Sequence, residues 1–244
     1  GEGVYIPETV TVHLGAPDDE TAPNVTVAFI DYIKNVSSSE VYPSWPREAL
    51  EANILAQISL TLNRIYTEWY PSRGYDFDIT NTTQFDQAFK EDREIFENIG
   101  YIVDEIFNDY IVRQGNVEPL FATFCNGTTS TCAGLSQWGT VNLANEGRTP
   151  FSILQNYYGN DIGIVNDAPV GFTKESYPGV PLRVGDSGNN VQIIQTELNR
   201  IAQNYPAIPK ITEVNGIFGL DTEQAVRKFQ EIFTPFPAQK RKRT

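Results

Sequence analysis

Alternating apolar and polar residues at the start of the chain predict two β-strands. Residues 4–14 and residues 25–33 are rich in β-branched side chains and follow the two-residue period of a half-buried strand. The polar, proline-containing stretch between them, residues 15–23, predicts a loop. A short strand is also predicted at residues 75–79.

The longest regular pattern follows these strands and predicts an α-helix that ends at Trp69. Ser44 is a candidate N-cap, and Pro46 suits the first turn because its missing N–H would have no partner there. Apolar residues recur at spacings of three and four, as on one face of a helix: Leu50, Ile54, Ile58, Leu62, Ile65 and Trp69.

Further helices are predicted downstream. Helical spacing of apolar residues continues from Phe85 to Arg113, with Gly115 as a plausible end signal. Two short helices are predicted at Thr140–Asn145 and Pro150–Tyr158. Together with the strands, these helices predict an α+β fold.

Periodicity is lost after Val165, where proline and glycine become frequent, and it returns near Leu182. Two amphipathic helices then follow, the second with Asp221 as its predicted N-cap. The predicted organisation is a first domain at residues 1–166, a linker at 167–180, a second domain at 181–235 and a basic tail at 236–244.

Composition and charge limit the classes of molecule to which the protein can bind. The 244 residues include 31 Asp and Glu against 18 Lys and Arg, a net charge of -13, which argues against nucleic acid because phosphate binding needs a basic surface. No apolar stretch approaches the length of a membrane span, and no signal peptide is visible. Since the chain contains no methionine, we expect a processed or excised fragment.

Two carboxylates flank the start of the long helix and are candidates for proton transfer. Glu40 precedes the turn, near Tyr42 and Trp45, where burial would raise its pKa as a general acid requires. Glu48 lies in the first helical turn, where the helix dipole alone explains it. Periodicity by itself assigns neither residue to catalysis.

Residues 38–53, SSEVYPSWPREALEAN, resemble the opening of the domain of stage II sporulation protein D, a peptidoglycan lytic transglycosylase. Further segments resemble that family in the same order over about 120 residues, which is more specific than any one motif. They are residues 75–80, Gln84 and Gln87, residues 134–139, Asn145 with Gly147, and residues 153–158.

The resemblance implies a reaction that needs one carboxyl group. Both glutamates fall on family positions; we expect Glu40 to be the general acid/base, with Glu48 as the runner-up, because an anion stabilised at a helix start is a poor proton donor. Ser136 and Gln137 are expected to bind sugar substituents or to orient the glutamate. Three aromatic residues are candidates for stacking on sugar rings: Trp45, Trp138 and Tyr158.

The cysteines mark a departure from the family. Cys132-Ala133-Gly134 stands where the family usually has G-H-G, and the only histidine of the chain is His13. Two cysteines make a poor zinc site, so we expect no zinc and no other cofactor, unless a carboxylate completes a site. Cys125 and Cys132 fit a small disulfide loop or two free thiols. The short spacing here resembles the clostridial spore-cortex-lytic enzymes.

The second predicted domain resembles the peptidoglycan-binding domain of cell-wall hydrolases, a three-helix bundle. The matching segments are residues 182–191, Leu198-Asn199, residues 215–219, Thr222, Ala225-Val226 and Phe229-Gln230. The resemblance implies an extracytoplasmic protein that docks on peptidoglycan glycan strands. Polar residues near the turns are the candidate contacts: Arg183, Asp186 and Asn215. The oligomeric state is not predicted.

Two alternatives remain open from the sequence. One is a non-catalytic, wall-bound scaffold or activator of another hydrolase. The other is a hydrolytic muramidase, which needs a second carboxylate, with Asp76 or Asp78 as candidates. The products separate the three possibilities, since a lytic transglycosylase leaves 1,6-anhydro ends, a muramidase leaves reducing ends and a scaffold leaves none.

Overall fold

The structure is a computed structural model that describes residues 4–171 and 181–233. These residues fall into two compact units, one on each side of residues 172–180. Most of the predicted linker and the predicted basic tail lie outside the described residues. None of the described helices has the length and apolar character needed to cross a membrane.

The first unit contains five α-helices, one short 3-10 helix (Pro71–Arg73) and nine short strands among its described residues, so it has an α+β fold. The helices are α1 (Phe29–Glu40), α2 (Arg47–Tyr66), α3 (Glu97–Ile106), α4 (Gln137–Asn145) and α5 (Pro150–Tyr158). The strands are β1 (Ile6–Pro7), β2 (Thr9–His13), β3 (Asn24–Ala28), β4 (Ile79–Thr80), β5 (Tyr110–Arg113), β6 (Phe124–Cys125), β7 (Leu135–Ser136), β8 (Ile162–Val165) and β9 (Val170–Gly171).

Helix α2 is the centre of this unit and contacts α1, α3, α4, α5, β4 and β5. Fifteen of its 20 residues are buried, so it is enclosed nearly all round instead of presenting a single apolar face. Ser59 shows how a buried polar residue of this helix is satisfied: its hydroxyl donates to Leu55 O one turn earlier and accepts from Ile111 N on β5. Its N-cap position is occupied by Pro46, without a side-chain cap, so the predicted cap at Ser44 is wrong.

Two predicted elements are replaced by different structure. The strand predicted at residues 25–33 ends at Ala28, because Phe29, Tyr32, Ile33 and Val36 are buried at helical spacing and begin α1. The helix predicted from Phe85 to Arg113 is confirmed only for α3. Residues 85–96 form neither helix nor strand before α3, since many of their backbone groups bond to other parts of the unit.

The strands form small separate sheets. Strand β2 lies between β3, to which it is antiparallel, and β4, to which it is parallel. Strands β5 and β8 are antiparallel, whereas β6 and β7 are parallel. The first and last strands, β1 and β9, form a parallel pair, and Ile6 N donates to Pro169 O at 2.9 Å. Residues 169–171, predicted to belong to the linker, are thereby bonded to the first unit.

The second unit contains α6 (Asn189–Ala202) and α7 (Leu220–Phe233). Within residues 181–233 two helices are present, where the resemblance implies three. The core joins Leu198, Ile208, Ile211 and Ala225, and the buried Gln195 donates to Ile217 O and Thr222 Oγ1. Helix α7 begins at Leu220, one residue before the predicted N-cap.

Candidate active site

Glu40 is the last residue of α1, and its side chain is partly buried against two distant segments. Oε1 accepts a hydrogen bond from Ala88 N at 2.7 Å. Oε2 accepts one from Gln137 Nε2 at 3.0 Å. Three parts of the chain that are far apart in sequence therefore converge on one carboxyl group.

The surroundings of Glu40 suit a group that exchanges a proton. Burial raises the pKa of the carboxyl above its ordinary value, against the opposing effect of the hydrogen bonds from Ala88 and Gln137 and of the charge on Lys90. Its position at the C-terminal end of α1 does not stabilise the anion either, since that end of a helix carries partial negative charge. Such a carboxyl is better prepared to donate a proton than an ordinary surface glutamate.

Gln137 is the first residue of α4 and is buried. Its backbone oxygen accepts a hydrogen bond from Thr140 Oγ1 at 2.5 Å, and Thr140 accepts one from Asn53 Nδ2 on α2 at 2.8 Å. The start of α4 is therefore tied to the central helix, which holds the Gln137 amide at Glu40.

Ser136 lies beside Gln137 but has different partners. Its Oγ accepts from Gly139 N at 3.0 Å and so caps α4. A Cβ at Gly127 would lie 1.8 Å from this oxygen, and a Cβ at Gly139 would lie 2.1 Å from Tyr157 Oη. The backbone packs so closely around Ser136 that both positions require glycine. The Ser136 hydroxyl caps and so stabilises α4, the helix that carries Gln137.

Three aromatic rings form a cluster near the entry to α2. The Trp45 and Trp138 ring centroids are 4.8 Å apart, and Tyr42 lies 5.7 Å from Trp45 and 5.8 Å from Trp138. Trp45 is buried, whereas Trp138 is 40% exposed and Tyr42 58% exposed. The exposed rings of Tyr42 and Trp138 can meet a ligand, with Trp45 as their support.

Tyr158 does not belong to this exposed surface. The side chain is buried, and its hydroxyl donates to Thr123 O at 2.9 Å. The burial of this side chain argues against the predicted stacking of Tyr158 on a sugar. The sequence does not reveal that the core contains a backbone oxygen, Thr123 O, that accepts a hydrogen bond from the Tyr158 hydroxyl.

The other candidate carboxylates have their contacts elsewhere. Glu48 is exposed on the first turn of α2. Asp76 accepts from Asn24 Nδ2 at 3.0 Å, and Asp78 accepts from Thr11 N at 2.8 Å, both beside the β2–β3–β4 sheet. These two hydrogen bonds join Asp76 and Asp78 to the sheet, whereas Glu40 is bonded by Ala88 and Gln137.

Cys125 and Cys132 form a disulfide with their Cα atoms 6.1 Å apart. Inside the loop that it closes, Asn126 Oδ1 accepts from the backbone N–H groups of residues 128, 129 and 130. The backbone oxygen of Asn126 accepts from Trp138 N at 3.0 Å. The loop thus contacts α4 next to Gln137.

Within residues 4–171 and 181–233, no three His, Cys, Asp or Glu side chains cluster as metal ligands.

In the second unit the predicted contact residues form turns. Arg183 N donates to Asp186 Oδ2 at 2.7 Å, and Asn215 Oδ1 accepts from Ile217 N at 2.9 Å. An open cavity of about 560 Å³ begins beside them. It is lined by residues 181, 182 and 186–191, so it includes Asp186 but neither Arg183 nor Asn215.

Sequence reasoning missed the contribution of residues 85–90. Ala88 acts through its backbone N–H, which leaves no side-chain signature in a sequence. Gln87 belongs to a segment that resembles the sporulation family, yet nothing in its spacing indicates that it is buried and bonded to Tyr32 and Thr61. The remaining pair, Glu40 and Gln137, was singled out by motif and is brought together in the structure.

Comparison with known families agrees with these two units. The family described as Stage II sporulation protein matches residues 18–109, which contain Glu40 and Ala88. The family described as putative peptidoglycan binding domain matches residues 187–235. The chain therefore carries a domain of each kind, in the predicted order, and Gln137 lies outside both matched ranges.

One similar relative is an uncharacterized protein of Brachyspira hyodysenteriae, 28% identical over 102 residues. The match covers 41% of this chain and 27% of the relative, so the relative is much longer than the shared part. The two domains support a cell-wall-related function of the sporulation type and a cell-wall or extracytoplasmic location.

Proposed function

We propose that this protein is a peptidoglycan lytic transglycosylase in which Glu40 is the general acid and then the general base. The observation that carries the proposal is the Glu40 carboxyl itself, partly buried, raised in pKa and bonded by the neutral donors Ala88 N–H and Gln137 Nε2. Exposed Tyr42 and Trp138 close by supply rings on which sugars stack.

The proposed reaction needs one carboxyl group. Protonated Glu40 gives its proton to the oxygen of the bond between N-acetylmuramic acid and N-acetylglucosamine, and that bond breaks at the muramic acid C1. The Glu40 carboxylate then removes the proton from the C6 hydroxyl of the same muramic acid. The O6 atom bonds to C1, which gives a 1,6-anhydro ring and returns the proton to Glu40 without adding water.

Gln137 has a defined part in this cycle. Its amide nitrogen donates to the carboxylate form of Glu40, and its amide oxygen can accept from the protonated form after the amide turns over. Ser136 supports Gln137 indirectly by capping α4. A hydrolytic muramidase would place a second carboxylate near the scissile bond, whereas the candidates Asp76 and Asp78 are bonded to Asn24 and Thr11.

We propose that the second unit docks on peptidoglycan and keeps the first unit near its substrate, which raises the local substrate concentration. The matched peptidoglycan-binding family supports this role. The proposed substrate is the peptidoglycan of the spore cortex or of the vegetative cell wall. We further propose that the linker lies within residues 167–180, and that limited proteolysis would cut the chain there before it cuts either unit. First cleavage inside residues 46–69 would contradict this assignment.

The proposed reaction is tested with Glu40→Gln on purified peptidoglycan, with Glu48→Gln as the matched control. General acid–base catalysis contributes roughly 10²–10⁴-fold, so Glu40→Gln is expected to lower anhydromuropeptide release by that factor while wall binding is kept. Mass spectrometry of the released fragments distinguishes anhydro ends from reducing ends.

Three results would contradict the proposal. Reducing ends would identify a muramidase, and no release by the unmodified protein would favour a scaffold or activator. Near-normal turnover of Glu40→Gln combined with an inactive Glu48→Gln would move the catalytic role to Glu48.

A further inference from the structure

The hydrogen bond from Ala88 to Glu40 comes from the backbone, so its geometry depends on what holds residues 86–90. This stretch has no regular secondary structure, yet Asp86 and Gln87 are buried. A segment without a ladder of backbone hydrogen bonds needs side chains to hold it in place. Besides Asp86, whose carboxylate bonds Arg64, Tyr70 and Thr80, the amides of Gln87 and Asn35 provide this support on the two sides of Ala88.

Gln87 attaches the segment to both helices that flank the site. Its Nε2 donates to Tyr32 Oη on α1 at 3.0 Å and to Thr61 Oγ1 on α2 at 2.7 Å. All three side chains are fully buried. The Gln87 Oε1 atom receives no hydrogen bond from the described residues. Because an unsatisfied buried oxygen destabilises the fold, the amide is a poor choice for stability alone.

Asn35 holds the segment on the other side of Ala88. Its Nδ2 donates to Lys90 O at 2.6 Å, and its Oδ1 accepts from Lys90 N at 3.0 Å. Asn35 lies on α1, the same helix that ends with Glu40. Ala88 is thus placed between two attachments to the helix that presents the carboxyl group.

The two oxygens of Glu40 therefore have partners of different kinds. A backbone N–H can only donate, so Oε1 has a partner that suits an acceptor in every step. The Gln137 amide can present either its N–H or its oxygen to Oε2. The first partner is permanent, and the second can follow the movement of a proton.

We propose that Gln87 and Asn35 are positioning residues that hold the Ala88 N–H on Glu40 Oε1, so that the transferred proton is carried on Oε2, opposite Gln137. This inference rests on the proposed function of Glu40 as the proton donor. Neither positioning residue touches the substrate in this arrangement. Each acts through the position of Ala88.

The first test is the pH dependence of anhydromuropeptide release by Gln87→Met, which keeps side-chain length and removes the amide. Misplacing Ala88 should lower the rate at the optimum on the order of 10-fold to 100-fold. Losing a donor to the carboxylate also makes Glu40 hold its proton to higher pH. The limb at which activity falls with rising pH should therefore move to higher pH.

Asn63→Ala is the matched control, because Asn63 is a buried amide of α2 whose Nδ2 bonds Glu118 and Pro119 instead of the 85–90 segment. Asn63→Ala should lower the free energy of unfolding without changing the pH at which activity falls with rising pH. Asn35→Ser is the second variant, and it should move the limb in the same direction as Gln87→Met. A lower rate with an unmoved limb in both variants would overturn the proposal.

A second measurement does not depend on activity. In an NMR titration of the full chain, the Ala88 amide proton should follow the ionisation of Glu40, and this should be lost in Gln87→Met or Asn35→Ser. If the Ala88 signal follows Glu40 equally well in the variants, the positioning role is wrong. If Glu40→Gln keeps full activity, the proposed reaction fails, while the titration still tests how Ala88 is held.

Discussion

Asp86 and Glu40 are two acidic side chains that meet the same irregular segment but are held by different kinds of partner. Asp86 is buried and forms an ion pair with Arg64, with Nε and Oδ1 2.7 Å apart. Its Oδ2 also accepts from Tyr70 Oη at 2.7 Å and from Thr80 N at 2.9 Å. Glu40 accepts from two uncharged amide donors.

The difference separates a carboxylate held by an ion pair from one held by neutral donors alone. A guanidinium beside a buried carboxylate compensates its charge, and the pair becomes costly to break. Neutral donors orient a carboxylate without supplying an opposite charge, so burial still favours its protonated form. Asp86 fixes the segment in place through its ion pair with Arg64. Glu40 accepts a hydrogen bond from the backbone of the same segment, at Ala88 N.

The largest expected contrast is in stability. Asp86→Asn leaves the Arg64 guanidinium buried without its carboxylate, so we expect the free energy of unfolding to fall by roughly 3–5 kcal/mol. Glu40→Gln makes the same chemical change but removes no ion pair, and it should change stability by about 1 kcal/mol or less. Urea denaturation of both variants measures this, and equal losses would break the comparison.

A smaller effect is expected from the disulfide next to Gln137. Replacing both Cys125 and Cys132 by serine opens a loop whose ends are seven residues apart. We expect a loss of about 2 kcal/mol from the greater freedom of the unfolded chain. Because Asn126 O holds Trp138 N, activity should also fall. Treating the native protein with reductant should reproduce both changes, and an unaltered urea midpoint would contradict them.

The third prediction concerns how protonation of Glu40 makes the free energy of unfolding depend on pH. Burial raises the pKa of Glu40 in the folded protein, so in the window above its ordinary value of 4.5 the folded state binds more protons than the unfolded state. Stability of the native protein relative to Glu40→Gln should therefore fall as pH rises through that window. It should level off above the folded pKa.

The size of this fall depends on how much more tightly Glu40 binds its proton in the folded state than in the unfolded state. A tenfold difference in that affinity is worth about 1.4 kcal/mol. Glu51 and Asp109, whose pKa values are also raised by burial, contribute equally to both proteins and cancel. A difference that is independent of pH, or that grows with pH, would show that Glu40 is not the proton-holding carboxyl of this comparison.

The smallest effect is expected at Glu48. Glu48→Gln removes a negative charge from the first turn of α2, where it interacts favourably with the helix dipole, and should cost about 0.3–1 kcal/mol. Added salt should reduce this loss because the side chain is exposed. A loss as large as that of Asp86→Asn would mean that Glu48 has a structural role beyond the dipole.

Local patterns account for the parts of the fold that were predicted. The helix α5, from Pro150 to Tyr158, has a proline in its first turn and a glycine after its end, and both signals are local. The central helix α2 was predicted from the spacing of its apolar residues, which is also a local signal. By contrast, Phe85, Phe89 and Phe96 are spaced as in a helix, but the backbone between them bonds α1 residues. Periodicity cannot reveal partners that are 48 to 58 residues away.

The candidate site was predictable only where side-chain identity carries the information. Glu40 and Gln137, which are 97 residues apart, were found by motif. Ala88 could not be found, because any residue except proline offers the same backbone donor. The sequence could not reveal that Tyr158 is buried, since an aromatic side chain has the same signature in a core as on a binding surface.

The parallel pair of β1 and β9 has a mechanical consequence. The chain enters the first unit through β1 and leaves it through β9, and the two strands run side by side in the same direction. Tension applied to the two ends of this unit therefore pulls the strands past each other along their axes. Their hydrogen bonds are then loaded together in shear instead of being opened one after another. A protein held on a stretched wall by a docking unit would meet its first resistance to unfolding at Ile6 and Val170.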